Sequence, residues 1–306
     1  MATELLEYVS CNICGADDAQ TIFPSSRQTG TVKVGADEFR SSGDEPLEDP
    51  LVRCRRCGME YVTPRLNAAV VIEGYANSVD ETFVSQAAAR ERTFARCLRI
   101  VEKFWRKPPG RILDVGTANG SFLKVAKDAG WGVTGCEPNK WMTQWCRKNY
   151  GIEVTAGTIF DGHYPSSAFD VITLWDVLEH TPEPMAVLRE CHRLLKPDGL
   201  LVVNYPDIGS WIARAMGRKW VFLLSVHYYY FTPKTIRVAL EKAGWKPIKL
   251  KPHFQSLELD YILFRATPYA AFIAKSMRKL VNALGMGKWN CPYWVGQTLV
   301  ISRKKA

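Results

Sequence analysis

The sequence predicts an α/β protein: a doubly wound, mainly parallel sheet with a small N-terminal domain ahead of it. Three observations carry that expectation. Short buried-strand patterns alternate with helical ones from Arg111 to Ser302, the order that places helices on both faces of a parallel sheet. A glycine-bearing turn follows the first of these strands and an acid closes the second. Residues 1–66 carry two Cys-x-x-Cys pairs separated by a stretch containing Ser41-Ser42-Gly43-Asp44-Glu45-Pro46, too polar to build a core without an external staple.

Residues 67–110 read as a helical lead-in and 111–306 as the sheet domain. Within the lead-in, Phe94, Leu98, Val101 and Trp105 recur at helical spacing over 83–106, and Pro108-Pro109-Gly110 stops the helix. Arg111–Val115 is a buried strand, followed by a turn and a helix through Ala129. Gly132–Glu137 is the second strand, and Pro138 opens the next helix at its first position. Strands three and four cover Ile152–Ala156 and Phe169–Leu174. Helix 183–195 ends at Lys196-Pro197-Asp198-Gly199, before strand Leu200–Asn204. Thr235–Ala243 is helical, and Lys246–Leu250 and Gln297–Ser302 are strands. Residues 254–294 form an aromatic-rich insertion with no place in a minimal sheet.

At 306 residues and 47% hydrophobic, the chain can bury a large core. No apolar run reaches the roughly 18 residues that cross a bilayer, and the acidic start Met1–Glu7 lacks the form of a signal peptide. A cytoplasmic location is expected. The nine cysteines suit metal binding plus reduced thiols better than a disulfide framework. A net charge of +9 allows nucleic acid, an anionic membrane surface or an anionic substrate as partner, or simply a solvated surface. No long basic run or RNA-binding signature is present, which disfavours nucleic acid. Oligomeric state is left open.

The turn after the first strand reads Asp114-Val115-Gly116-Thr117-Ala118-Asn119-Gly120. Glycines four apart let the backbone bend and approach a ligand closely, and the helix that follows offers free N–H groups. Glu137, closing the second strand, stands where an acid grips two ribose hydroxyls. The Gly-x-Gly-x-x-Gly spacing that seats a pyrophosphate is missing. An aspartate facing the turn would repel pyrophosphate but suits an ammonium group. The charge logic selects S-adenosylmethionine.

With these motifs, the strand Phe169–Leu174, the run Asp176-Val177-Leu178-Glu179-His180 and Leu194–Val203, the chain resembles the Rossmann-like class I methyltransferases, above all the ubiquinone-biosynthesis O-methyltransferases. The resemblance covers residues 90–250 and resumes in the last strand. It implies that Asp114, Gly116, Thr117 and Gly120 hold the methionine part of the donor and Glu137, followed by Pro138, the ribose. Thr158 and Ile159 would flank adenine, and Trp175 and Asp176 would lie beside the sulfonium. Two departures stand out: Ala118 replaces a usual third glycine, and Thr158 replaces a usual aspartate.

Methyl transfer mainly needs alignment of donor and acceptor, but an alcohol or hindered hydroxyl also needs a general base. His180, just past strand four, is one candidate. His227, ahead of Tyr228-Tyr229-Tyr230-Phe231-Thr232 and similar to the family's His-x-x-x-Phe-Thr segment, is the other. Either could instead brace a loop. Asp176, Glu179 and His180 resemble the Glu-x-x-Glu-His that holds a divalent ion in the ubiquinone members, or they cap a helix.

Cys11, Cys14, Cys54 and Cys57, each pair followed by glycine (Gly15, Gly58), are two matching knuckles for one structural Zn2+ with no open position. The segment resembles the zinc ribbon ahead of methyltransferase domains that act on sugars, polysaccharides and natural products, including deoxysugar C-methyltransferases. In the insertion, 268–284 fits an amphipathic helix with Ile273, Met277, Leu280, Val281 and Leu284 on one face. It reads as a lid over the acceptor pocket or as a contact with an anionic membrane.

The function expected is O-methylation of a small-molecule acceptor: a sugar, polysaccharide precursor or quinone-like phenol. Three alternatives are C-methylation of a nucleotide-linked deoxysugar, nucleic-acid methylation, and a non-enzymatic zinc-ribbon module with an inactive second domain. Against nucleic acid, Asn204-Tyr205-Pro206-Asp207 follows strand five and does not match the amino-methylating motif. Against inactivity, Asp114 and Glu137 are intact.

Overall fold

A computed structural model describes residues 5–26, 39–43, 45–267 and 270–305. Three sequence readings fall partly outside them: the acidic start (1–4), Asp44 of the polar spacer, and Pro268-Tyr269 at the head of the amphipathic stretch.

The first five strands are short: β1 (Leu6–Glu7), β2 (Ala19–Phe23), β3 (Leu51–Cys54), β4 (Glu60–Val62) and β5 (Arg65–Leu66). Three helices follow, α1 (Ala68–Ala76), α2 (Glu81–Ser85) and α3 (Ala87–Trp105). The alternating region holds β6 (Arg111–Val115), α4 (Ser121–Asp128), β7 (Gly132–Glu137), α5 (Lys140–Tyr150), β8 (Thr155–Ala156), β9 (Phe169–Trp175), α6 (Pro184–Leu194) and β10 (Leu195–Pro206). Next come α7 (Trp211–Met216), β11 (Tyr229–Tyr230), α8 (Pro233–Lys242) and β12 (Trp245–Pro252). The chain closes with β13 (Gln255–Glu258), α9 (Leu259–Ala266), α10 (Ala271–Ala283), β14 (Asn290–Tyr293) and β15 (Gln297–Lys304).

The main sheet has seven strands in the order β12-β15-β10-β9-β6-β7-β8. Strands β10, β9, β6, β7 and β8 run parallel, and β15 inserts antiparallel between β10 and β12. Every residue of β9 is buried, as a central strand covered on both faces must be. From β6 the chain steps outward to β7 and β8, then returns to the other side at β9. The strand order therefore reverses between β6 and β9, and ligands of open α/β sheets bind outside the carboxyl ends at such a point. Asp114 and Trp175 lie at those ends.

Several boundaries differ from the sequence reading, each for a local reason. Asn139 caps α5 by accepting the Met142 N–H at 2.8 Å, so the helix starts after Pro138 rather than on it. Strand three shrinks to Thr155–Ala156 because it pairs only with the last two residues of β7. The segment Lys196–Gly199 does not end the sheet contact. Leu195 already pairs with Phe169, and the chain bulges before pairing resumes at Leu200. Residues 81–85 form a separate helix because Asp80 caps it, accepting the Phe83 N–H at 2.8 Å.

The N-terminal strands build a second sheet, β11-β4-β3-β2. Its outer strand, Tyr229–Tyr230, comes from the loop that carries His227. The insertion folds as a hairpin, β13 against β14, carrying α9 and α10. Among the described residues no helix is long and apolar enough to cross a membrane.

Gly120 is the tightest point of the β6–α4 turn. Its φ is +77°, and a Cβ there would lie 2.2 Å from Cys146 Sγ. Gly120→Ala is expected to cost about 1–3 kcal/mol in denaturant unfolding. Adding Cys146→Ala should recover the steric part and leave the backbone part. A fully neutral single variant would contradict this account of the turn.

Candidate donor site and acceptor face

The β6–α4 turn presents its backbone because three consecutive features bend it. Gly116 and Gly120 take positive φ, and so does Ala118, at 48°. A non-glycine residue is strained there. The sequence departure at Ala118 thus retains the backbone shape a glycine would give. Gly116 faces Val177, whose Cγ2 would stand 2.8 Å from an added Cβ. This packs the turn against the segment leaving β9.

Glu137 is buried at the end of β7. Its Oε2 accepts the Ala118 N–H and its Oε1 the Asn139 N–H, both at 2.8 Å. Burial raises its pKa, opposed by those two N–H groups and by the Tyr75 hydroxyl. Asp114 is also buried, and its Oδ1 accepts the Thr173 hydroxyl at 2.5 Å. Burial pushes its pKa up to about 7, against the hydrogen bond from Thr173. Thr158 donates through N–H and hydroxyl to Asp161 Oδ2, both at 2.7 Å, which closes the loop after β8 over buried Ile159.

Trp175 packs among Phe122 (ring centroids 5.1 Å apart), Phe94 (5.7 Å) and His253, on which it stacks at 5.9 Å. Its buried indole Nε1 has no partner among the described residues. Asp176, at φ 53°, is held by three side-chain amides. Oδ1 accepts from Asn204 (2.7 Å) and Gln297 (3.0 Å), and Oδ2 from Gln255 (2.9 Å). Asn204 Oδ1 returns the contact by accepting the Asp176 N–H at 3.0 Å.

This cage takes Asp176 out of the three-residue cluster read from the sequence. The donors that converge are Glu179, His180 and His227, whose ligand atoms lie within 4.8 Å of one another. The imidazoles meet edge to face at 4.5 Å. His180 Nδ1 contacts the Val226 carbonyl at 3.0 Å and His227 Nδ1 the Phe222 carbonyl at 2.9 Å. A carbonyl accepts only from N–H, so both Nε2 atoms carry a lone pair. The His180 ring is accessible, yet the protein packed around it pushes its pKa down to about 4. Burial and the neighbouring His180 drive His227 well below the usual value. Glu179 is 1% exposed, with both carboxyl oxygens unpartnered among the described residues, and its pKa rises well above the usual value through burial and then Asp176. A buried acid without partners is costly, so this set is built to receive a proton, a cation or a polar ligand.

Sequence reasoning missed Tyr75, Arg90, His253, Gln255 and Gln297, because the insertion and lead-in meet the sheet only in three dimensions. Arg90 stacks on Phe83 at 3.7 Å and has no carboxylate partner among the described residues. Asn204 could have been found: it is a polar residue ending the buried run Leu200–Val203.

The four knuckle sulfurs also lie within 4.8 Å of one another, with Cys11–Cys57 and Cys14–Cys54 at 3.5 Å. Four thiolates around a tetrahedral zinc stand about 3.8 Å apart, so the donor set fits the ion. Asn12, inside the first knuckle, accepts the Met185 N–H at 3.0 Å and donates to Glu183, which ties the knuckle to the start of α6. Lys242 donates to the Ile13 carbonyl at 3.1 Å.

Comparison with known proteins identifies the family and the fold. The sequence profile of a methyltransferase domain matches residues 89–250, and the chain belongs to that family. The ubiquinone biosynthesis O-methyltransferase of Actinobacillus pleuropneumoniae is 35% identical over 101 residues, 30% of this chain and 43% of that enzyme. That of Yersinia enterocolitica is 27% identical over 146 residues, 44% of this chain and 59% of the enzyme. The matched part thus spans about half the length of these relatives. A SAM-dependent methyltransferase from Archaeoglobus fulgidus superposes with TM-score 0.50 at 20% identity, over 70% of this chain and 94% of that one, and shares the fold.

Two outcomes follow. A donor ammonium seated against Asp114 would favour its ionised form, and the Asp114 pKa stands near 7. Affinity for S-adenosylmethionine should therefore rise about tenfold from pH 6 to pH 8 in calorimetric titrations. Asp114→Asn should flatten that rise; an equal slope in the variant would contradict it. A strong chelator should remove about one zinc per chain and raise hydrogen exchange in residues 51–62 and in Tyr229–Tyr230, which share a sheet. Complete metal loss with unchanged exchange would refute the structural role.

Proposed function

We propose that the protein transfers a methyl group from S-adenosylmethionine to an oxygen of a small-molecule acceptor: a sugar, a polysaccharide precursor or a quinone-like phenol. The observation that carries this reading is the unpartnered Glu179 carboxyl beneath the free Nε2 atoms of His180 and His227, one turn from Asp176 at the end of β9. The donor supplies an electrophilic methyl on a sulfonium. The chain's own residues do the rest. The turn from Asp114 to Gly120 and Glu137 hold the donor, with Thr158 and Ile159 toward adenine and Trp175 and Asp176 toward the sulfonium.

His180 or His227 takes the acceptor proton on Nε2. Both rings are neutral at pH 7, so a lone pair is always available. Burial disfavours an isolated imidazolium, and Glu179 beside it offsets that penalty once its own proton has passed to solvent. Zn2+ on the four cysteines would hold the knuckle that braces this face. The same bases also serve a carbon acid, the chemistry required by C-methylation of a nucleotide-linked deoxysugar.

A donor-consumption screen over nucleotide sugars, phenols and RNA identifies the acceptor class. With the acceptor found, Glu179→Gln, His180→Gln and His227→Gln are compared. At least one histidine variant should lose about 10²–10⁴-fold in kcat with donor affinity unchanged. Undiminished turnover in all three would overturn the base assignment, and consumption with RNA alone would overturn the acceptor class.

A further inference from the structure

The insertion carries an apolar surface that the fold leaves uncovered. On α10, Ala274 and Val281 face inward, and Arg278 turns back to a two-point ion pair with Asp260 at 2.6 and 2.8 Å. The opposite side is open: Phe272 is 84% exposed, Ile273 61%, Met277 47%, Leu280 60% and Leu284 62%. Thus the single stripe expected from the sequence is divided, and only Val281 of its members is buried.

At about 100° per residue, these five side chains sweep one continuous arc, and Lys275 and Lys279 border it on the edge beside Phe272. Neither lysine has an acidic partner among the described residues. Asp260, the acid that faces α10, is taken up by Arg278 and Asn282. From residue 261 to 306 the sequence has no Asp or Glu and eight Lys or Arg.

We propose that this face docks the protein onto an anionic lipid bilayer. Protein–protein interface cores are depleted of lysine. Unpaired lysines edging a large aliphatic and aromatic arc instead match a helix lying in the plane of an interface, its apolar side among acyl chains and its cations among headgroup phosphates. Thirteen residues make a helix about 20 Å long, too short to span the core of about 30 Å. The helix lies on the membrane.

The hairpin beneath it is wired to the candidate site. Gln255 of β13 donates to Asp176, and the Tyr293 hydroxyl of β14 donates to Gln255 Oε1 at 2.7 Å. Docking would therefore act on an insertion that is hydrogen-bonded to Asp176 at the end of β9. The docking argument stands on the surface alone and does not depend on the methyl-transfer reading.

The test is flotation of the full chain with vesicles of phosphatidylcholine, with and without 30% phosphatidylglycerol (about one anionic lipid in three). Co-flotation with the anionic vesicles at low salt and its loss at high salt are expected. Lys275→Glu with Lys279→Glu should weaken partition by at least about tenfold, and Phe272→Ser with Leu280→Ser should abolish it. All four positions are solvent-facing, and an unchanged S-adenosylmethionine titration in each variant separates lost docking from lost folding or lost donor binding. No co-flotation at low salt overturns the proposal. So does a two-chain particle in light scattering that Phe272→Ser with Leu280→Ser converts to one chain, which would assign the face to a second copy.

Discussion

One carboxylate holds the turns after β6 and β7 in shape. Glu137 accepts the N–H of Ala118 from the turn after β6 and that of Asn139 from the turn after β7. Two strand-to-helix turns are thereby fixed to each other across the sheet edge. Asn139 extends the tie outward: its side chain donates to the Tyr75 and Ser78 carbonyls at 2.6 and 3.0 Å and caps α5. The helical lead-in is positioned by the same point. A buried acid with raised pKa would be unstable without these partners, so the geometry of the turns and the ionisation of Glu137 support each other.

The cluster of Glu179, His180 and His227 rests on a different set of ties, and most come from outside the main sheet. The Tyr228 N–H donates to the Glu179 carbonyl at 2.8 Å. Arg65, ion-paired with Glu7 at 2.7 Å, lies over the Tyr228 ring at 4.4 Å. Asn12 of the first knuckle holds the start of α6. The cysteine segment is therefore a brace for the loop of His227 and for the turn of Glu179 and His180. A tetrathiolate centre would act on the chemistry through position, since four protein ligands leave no open coordination site.

The sheet was legible in the sequence because its strands are buried on both faces and read as apolar runs, and because glycines and prolines punctuate them. Asp114, Gly116, Gly120 and Glu137 could be singled out as candidates because local backbone geometry constrains their type and spacing. Where the sequence left alternatives open, tertiary pairing decided. Asp176 looked like a partner of Glu179 and His180 by adjacency, but Asn204, Gln255 and Gln297 capture it from three other strands. His227 joined the cluster from 47 residues beyond His180, which no spacing rule signals. The N-terminal sheet borrows Tyr229–Tyr230, which lack any alternating pattern of their own. On α10 the apolar periodicity was plain, but which part of it would be covered depended on how the hairpin packs.

The central claim is that the Glu137-stapled turns form a binding site for S-adenosylmethionine, and calorimetric titration of that compound into the wild-type chain and Glu137→Ala tests it most directly. The account predicts one site per chain, with affinity reduced about 10- to 100-fold in the variant, as expected for lost hydrogen bonds to a charged group, while the folded far-ultraviolet spectrum persists. Equal affinity in the two proteins, or no binding to the wild type, would contradict it.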